Sequence, residues 1–152
     1  MTTPTSIDTD CPFSNRYHQP LPRGLREAAR GMSWEDFRDA YAPPADLAVD
    51  TMTCRHAPDG SVQLTVGLRR AGTRMHLTAE GAGPVAATTA LLYRLGRPVE
   101  VLEFHQLAVA EGTATFLRTG DGRTGRQHWN FAIAHDPDES AARALVGAAT
   151  RD

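Results

Sequence analysis

One arrangement constrains this chain more than any other. A run of alternating apolar and polar residues, closed by a proline-led helix, occurs twice. From Leu47 the rhythm is period two: "LAVDTMTCRH" reads as a strand and "APDGS" as a turn carrying an Asp-Gly signal. "VQLTVGL" then alternates with Val62, Leu64, Val66 and Leu68 on one face. "AGTR" turns the chain, "MHLTAE" is a third strand, and a helix runs from Gly83 to about Leu95, where Gly96 and Pro98 end it. The plan repeats with "VEVLEFHQLAV", "TATFLRT" and "RQHWNFAIA" as strands and "DPDESAARALVGAAT" as a helix. Pro84 and Pro137 each take the first helical position. This order predicts an α+β fold of two pseudo-symmetric β-β-β-α units, with helices packed on antiparallel sheet. Each half alone has too little core, so the two must pack together, and long exposed strand edges predict a homodimer.

Upstream of this repeat the pattern changes. Residues 1–22 are rich in Thr, Ser, Asp and Pro with little periodic apolar content, and read as an N-terminal arm, mobile or draped over a partner. Residues 23–45 read as a helical linker segment: in "SWEDFRDAY" Ser33 can cap, Asp36 completes a capping-box pattern, and Trp34, Phe37 and Tyr41 form one stripe before "APP" stops the helix. Residues 46–152 hold the repeat. A net charge of −2 points to neither nucleic acid nor an anionic membrane, and all 16 basic residues are Arg. The start "MTTPTSIDTD" has neither the positive charge nor the apolar run of a secretory signal, so a cytoplasmic protein is expected, with Cys11 and Cys54 as free thiols.

The two helix starts differ in chemistry. The second supplies its own negative charge: Asp136 can cap, and Asp138 and Glu139 complement the dipole. The first brings no carboxylate, so Gly81–Ala87 could receive an outside carboxylate or small phosphate on its backbone N–H groups. The other reading is that the glycines only let backbone pass closely where strand meets helix. The stretch is not a P-loop, because the chain has no Lys, and it lacks the third glycine of a dinucleotide fingerprint. Glu103 and His105 share a strand face, as do His128 with Asn130 and His76 with Glu80. Were these faces to converge under the first helix, His105 could act as a base oriented by Glu103 or Glu80. Ordinary surface histidines are the competing reading. No His pair has helical i, i+4 spacing and no Cys lies near such a pair, so no metal site and no cofactor are expected.

The junction "EGAGPVAA…ALL" resembles the C-terminal regulatory domain of α-isopropylmalate synthase, whose pattern there is G-x-G-N-G-P-V/L-D-A before an alanine-rich helix. The resemblance extends through "VEVLEFHQLAV" and "HWNFAIA…SAARALVGAATR", and upstream through "LPRGL" and the W-x-x-F-x-x-x-Y helix. It implies two β-β-β-α units, dimerisation, and a leucine-type effector site at the glycine turn. The synthase's catalytic barrel, with its metal-binding H-x-H, has no counterpart in these residues. The departures cluster at the turn. Ala82 stands for the family's Asn, Ala86 for its Asp and Ala132 for a glycine, and the loop in "AVAEGTATF" is shortened. The resemblance thus implies a modified small-acid pocket formed by Gly81, Ala82, Gly83, Pro84, Val85 and Ala86, with His105 and Ala132 beside it. The expected function is a dimeric regulatory or accessory module that binds a small carboxylate metabolite and acts on a separately encoded synthase or pathway enzyme. The alternative is a small cofactor-independent enzyme of specialised metabolism using His105, Glu103 and Glu80.

Overall fold

The computed structural model describes residues 11–43, 46–120 and 124–149, divided into two compact units. The first unit, residues 1–43, contains α1 (Pro12–Tyr17), α2 (Arg23–Ala29) and α3 (Trp34–Tyr41). The expected start of α3 is present: the Ser33 hydroxyl accepts the Asp36 N–H at 3.0 Å. Its aromatic stripe joins a ring cluster, in which Trp34 stacks on Phe37 at 5.8 Å and Phe13 and Tyr17 lie 4.7 Å apart. The Arg16 guanidinium sits 5.0 Å over Trp34. Helix α1 is a finding beyond the sequence reading. Phe13 and Tyr17, one helical turn apart, supply an apolar face within a stretch whose prolines and small polar residues conceal it, and Phe13 is fully buried. Residues 1–10 of the expected arm lie outside the described residues.

The second unit follows the predicted order: β1 (Leu47–His56), β2 (Val62–Arg70), β3 (Thr73–Gly81), α4 (Pro84–Arg94), β4 (Glu100–Val109), β5 (Gly112–Gly120), β6 (Gln127–Ala134) and α5 (Pro137–Ala149). The strands form two antiparallel sheets in the orders β1-β2-β3 and β4-β5-β6. Turn chemistry sets the hairpins. Asp59 accepts the Ser61 N–H at 2.9 Å beside Gly60 at φ +90°. Ala71 and Gly72 both adopt positive φ between the paired Arg70 and Thr73, as a tight two-residue hairpin requires. The repeat is visible in a detail as well. The first strand of each half has a register irregularity, between Val49 and Thr51 in β1 and between Val101 and Glu103 in β4.

One core serves both halves. Val62, Leu64, Val66 and Leu68 of β2 pack with Leu91 and Leu92 of α4, and the cluster continues into Leu117 of β5 and Leu145 of α5. Burying side chains of this size contributes about 1.5–3 kcal/mol each before entropy is counted. Helix α4 lies on β3 and β2 and against α5, while α5 lies on β6 and β5 and also reaches β1. Arg143 of α5 donates to the Val49 carbonyl at 2.8 Å, beside the irregularity in β1. Among the described residues no helix is long and apolar enough to cross a membrane.

Candidate functional site

The two helix starts differ as their residues dictate. At α5, Asp136 accepts the Glu139 N–H at 2.8 Å, and Asp138 and Glu139 occupy the first turn. At α4 the cap position is Gly83 in extended backbone, Pro84 follows, and the first turn has neither a capping side chain nor an acidic residue. The first helical bond runs from the Ala87 N–H to the Gly83 carbonyl at 2.9 Å. The dipole of α4 and its leading N–H groups therefore meet no negative charge from their own side chains.

Gly81 and Gly83 play different parts. A Cβ on Gly81 would stand 2.6 Å from the Ala87 nitrogen and 2.9 Å from the Ala86 carbonyl carbon, so close passage of β3 under α4 demands glycine there. A Cβ on Gly83 would meet nothing within 4 Å. The open space in front of the helix thus lies at Gly83, bordered by half-buried Pro84 and Val85 and by exposed Ala82 and Ala86. Behind it Thr88 is buried and donates to the Pro84 carbonyl at 2.7 Å, bracing the first turn from within.

The convergence of histidine faces that the enzyme alternative requires is not what the register produces. Glu103 and His105 do meet, with His105 Nε2 3.3 Å from Glu103 Oε1. They share their face of β4-β5-β6 with Phe116, Arg118, Trp129 and Phe131. The α5 side of that sheet is the opposite one, where Thr115 bonds Ser140 at 2.6 Å and where His128, Asn130 and Ala132 lie. Glu80 is on the face of β3 opposite Ala79, which packs toward α4, so it too points away from the helix. The alternation of strands sends these residues to separate faces. Ala132 occupies β6 with its carbonyl accepting from Ser140 at 3.0 Å.

Two residues that complete the His105 group escaped the sequence reading. Arg118 Nε donates to Glu103 Oε2, and the Trp129 ring stacks 6.3 Å from His105. Arg118 first, and His105 second, hold the Glu103 carboxyl below the usual range. Glu103 is thereby committed to a guanidinium, which weakens it as an orienting partner for a basic imidazole. The sequence signal for Arg118 exists only once the β4–β5 register is known. A second group also appears in the structure, built from a single His rather than the helically spaced His pair that the sequence lacks. Cys54 Sγ lies 3.8 Å from His56 Nε2, which lies 3.2 Å from Asp138 Oδ2. Burial, and then the Asp138 carboxylate, push the Cys54 thiol up.

Comparison with known proteins supplies the context for this geometry. Residues 37–151 match the LeuA allosteric (dimerisation) domain. The chain is 28% identical over 138 residues to 2-isopropylmalate synthase of Renibacterium salmoninarum and 30% identical over 134 residues to that of Parafrankia sp.. In both cases the match covers 82% of this chain and 23% of the relative.

Proposed function

Because the chain belongs to the LeuA allosteric (dimerisation) domain family, we propose that it works as a dimeric, cytoplasmic binding module for a small carboxylate metabolite. The ligand class is an amino acid or a 2-oxo or hydroxy acid, and its occupancy regulates or assists a synthase or another enzyme of the same pathway. The observation that carries this reading is the contrast between helix starts. Helix α5 neutralises its own dipole, whereas α4 begins at Gly83 with no charge of its own and open space in front. A carboxylate placed there accepts backbone N–H groups, while Pro84 and Val85 offer apolar contact to a short aliphatic body. Of the residues that the sequence assigns to the pocket, Gly81 to Ala86 make up this start, whereas His105 and Ala132 stand on β4 and β6. The relatives' own activity is left out of this reading, since the chain spans 23% of their length.

Replacing Gly83 by Asp tests it directly. Asp at a cap position accepts the N–H of the second or third helical residue and occupies the anion's place. The expected outcome is a variant that melts at or slightly above the parent without ligand, because Asp gains only about a few tenths of a kcal/mol over Gly at a cap. Its melting temperature should no longer respond to acids that raise the parent's. A ligand at about 100 times its Kd stabilises by about 2.7 kcal/mol, a shift of several degrees that scanning calorimetry resolves. A panel of branched-chain amino acids, 2-oxo acids and malate-type acids that leaves the parent unmoved overturns the reading. So does a response that Gly83→Asp leaves intact.

A further inference from the structure

We propose that Cys54, His56 and Asp138 form a binding site for a divalent transition-metal ion of the zinc class, which clips β1 of the first repeat to the start of α5 in the second. The thiol sulfur, the imidazole nitrogen and the carboxylate oxygen all lie within 4.8 Å of one another. His56 Nε2 is 3.2 Å from Asp138 Oδ2 and 3.8 Å from Cys54 Sγ. Tetrahedral zinc with ordinary bond lengths separates nitrogen from oxygen by about 3.4 Å and sulfur from nitrogen by about 3.6 Å. The two observed spacings are close to these ideal edges, and with the sulfur and the carboxylate oxygen within 4.8 Å of one another, side-chain rotation of Cys54 and Asp138 closes the third edge.

The donors come from rigid parts of the fold. Cys54 and His56 are two apart on β1, which places them on the same face, opposite Leu64 and Val62 of β2. Asp138 stands in the first turn of α5, directly after Pro137. Capping there is already done by Asp136, which leaves the Asp138 carboxylate unneeded for it. His56 has 60% of its side chain exposed, so an ion has a path in and water can complete its coordination. A mixed sulfur, nitrogen and oxygen set selects zinc-like ions over magnesium or calcium, which take oxygen ligands.

The competing description is a His–Asp ion pair with the Cys54 thiol beside it. The second half of the repeat carries no such donors at the corresponding positions. Counted from the register irregularities, Gln106 and Ala108 of β4 stand where Cys54 and His56 stand in β1. Counted from the first-position prolines, Val85 stands where Asp138 does. None of the three equivalents is a thiol, imidazole or carboxylate, so the donor set occurs in one half of the repeat only.

Cobalt(II) reads the site out without any assumption about activity. Titrating Co2+ into the reduced, tag-free, chelator-treated chain should give the near-ultraviolet thiolate-to-metal charge-transfer band and the visible bands of tetrahedral cobalt. These should saturate at one ion per chain and be displaced by Zn2+. Cys54→Ser should lose the charge-transfer band, while Cys11→Ser keeps it. His56→Ala and Asp138→Asn should each weaken binding by at least about tenfold. Far-ultraviolet circular dichroism of each variant separates a lost site from a lost fold. Asp138→Asn preserves shape at a half-buried position and serves as the fallback should Cys54→Ser not fold. Absence of any thiolate band in the parent, or its persistence in Cys54→Ser, overturns the proposal. So does unchanged affinity in a folded Asp138→Asn.

Discussion

Glu103 accepts from Arg118 and from His105, and both partners favour its ionised form. Its folded-state pKa is lowered, with Arg118 the larger cause. The stability this supplies is therefore present above the ordinary carboxyl value of about 4.3 and is lost as pH falls through the lowered one. A side-chain NMR titration should find the Glu103 midpoint below the ordinary value. Arg118→Ala should move it back up by more than His105→Ala does, and equal effects would contradict the assignment. How much of this was legible depends on sequence distance. The Glu103–His105 pair is written in a two-residue spacing, and the Ser33–Asp36 cap in a three-residue one. Arg118 lies 15 residues from Glu103 and Asp138 lies 82 from His56, distances that only the strand register and the helix docking convert into contact.

At the level of elements, the junction of β3 with α4 separates two uses of glycine that share one motif. Gly81 is demanded by backbone contact with Ala86 and Ala87, whereas Gly83 faces open space. Gly81→Ala should cost about 1–3 kcal/mol, the range for overpacking a tight contact. Gly83→Ala meets nothing but puts a poor cap residue in place of a favoured one, and should cost the smaller amount, within about 1 kcal/mol of the parent. Chemical denaturation of the pair checks this ordering, and equal losses would contradict it. The contrast between helix starts was readable because caps and charges act within one turn. The helix in residues 12–17 was not, because Phe13 and Tyr17 make too short an apolar pattern to stand out among Pro12, Ser14 and Pro20. The separation of His105, His128 and Glu80 onto different faces was within reach of strand alternation, but which face carries the helix depended on the core around Leu117 and Leu145.

For the whole molecule, the two halves are alike in order yet unequal in cover. Helix α5 reaches β1 of the other half, while α4 docks on β2, β3 and α5. Among the described residues, the large apolar side chains left exposed are Tyr93 of α4, at 74%, and Phe104 of β4, at 41%. In a family defined by dimerisation, these two suit a second copy of the chain. Sedimentation equilibrium should find a dimer, and Tyr93→Arg with Phe104→Arg should shift it toward monomer without loss of the circular dichroism signal. A parent that sediments as a monomer at all concentrations would contradict this. The repeat itself was plain in the sequence, since periodicity and turn residues are local. The inequality of cover was not, because it arises only when both sheets and both helices are in place.

The reach of α5 back to β1 also orders the events of folding. The Arg143 bond to Val49 spans 94 residues and the Asp138 contact with His56 spans 82, so the first sheet cannot be finished by the segments that surround it in sequence. During synthesis β1 emerges long before the helix α5 that packs on it. Contacts of this separation slow folding and lengthen the exposure of unpaired edges. The nascent chain therefore passes through an interval in which its first repeat is formed in outline but open along one side. Shortening that interval is what binding to a chaperone, or pairing with a second nascent copy, would accomplish.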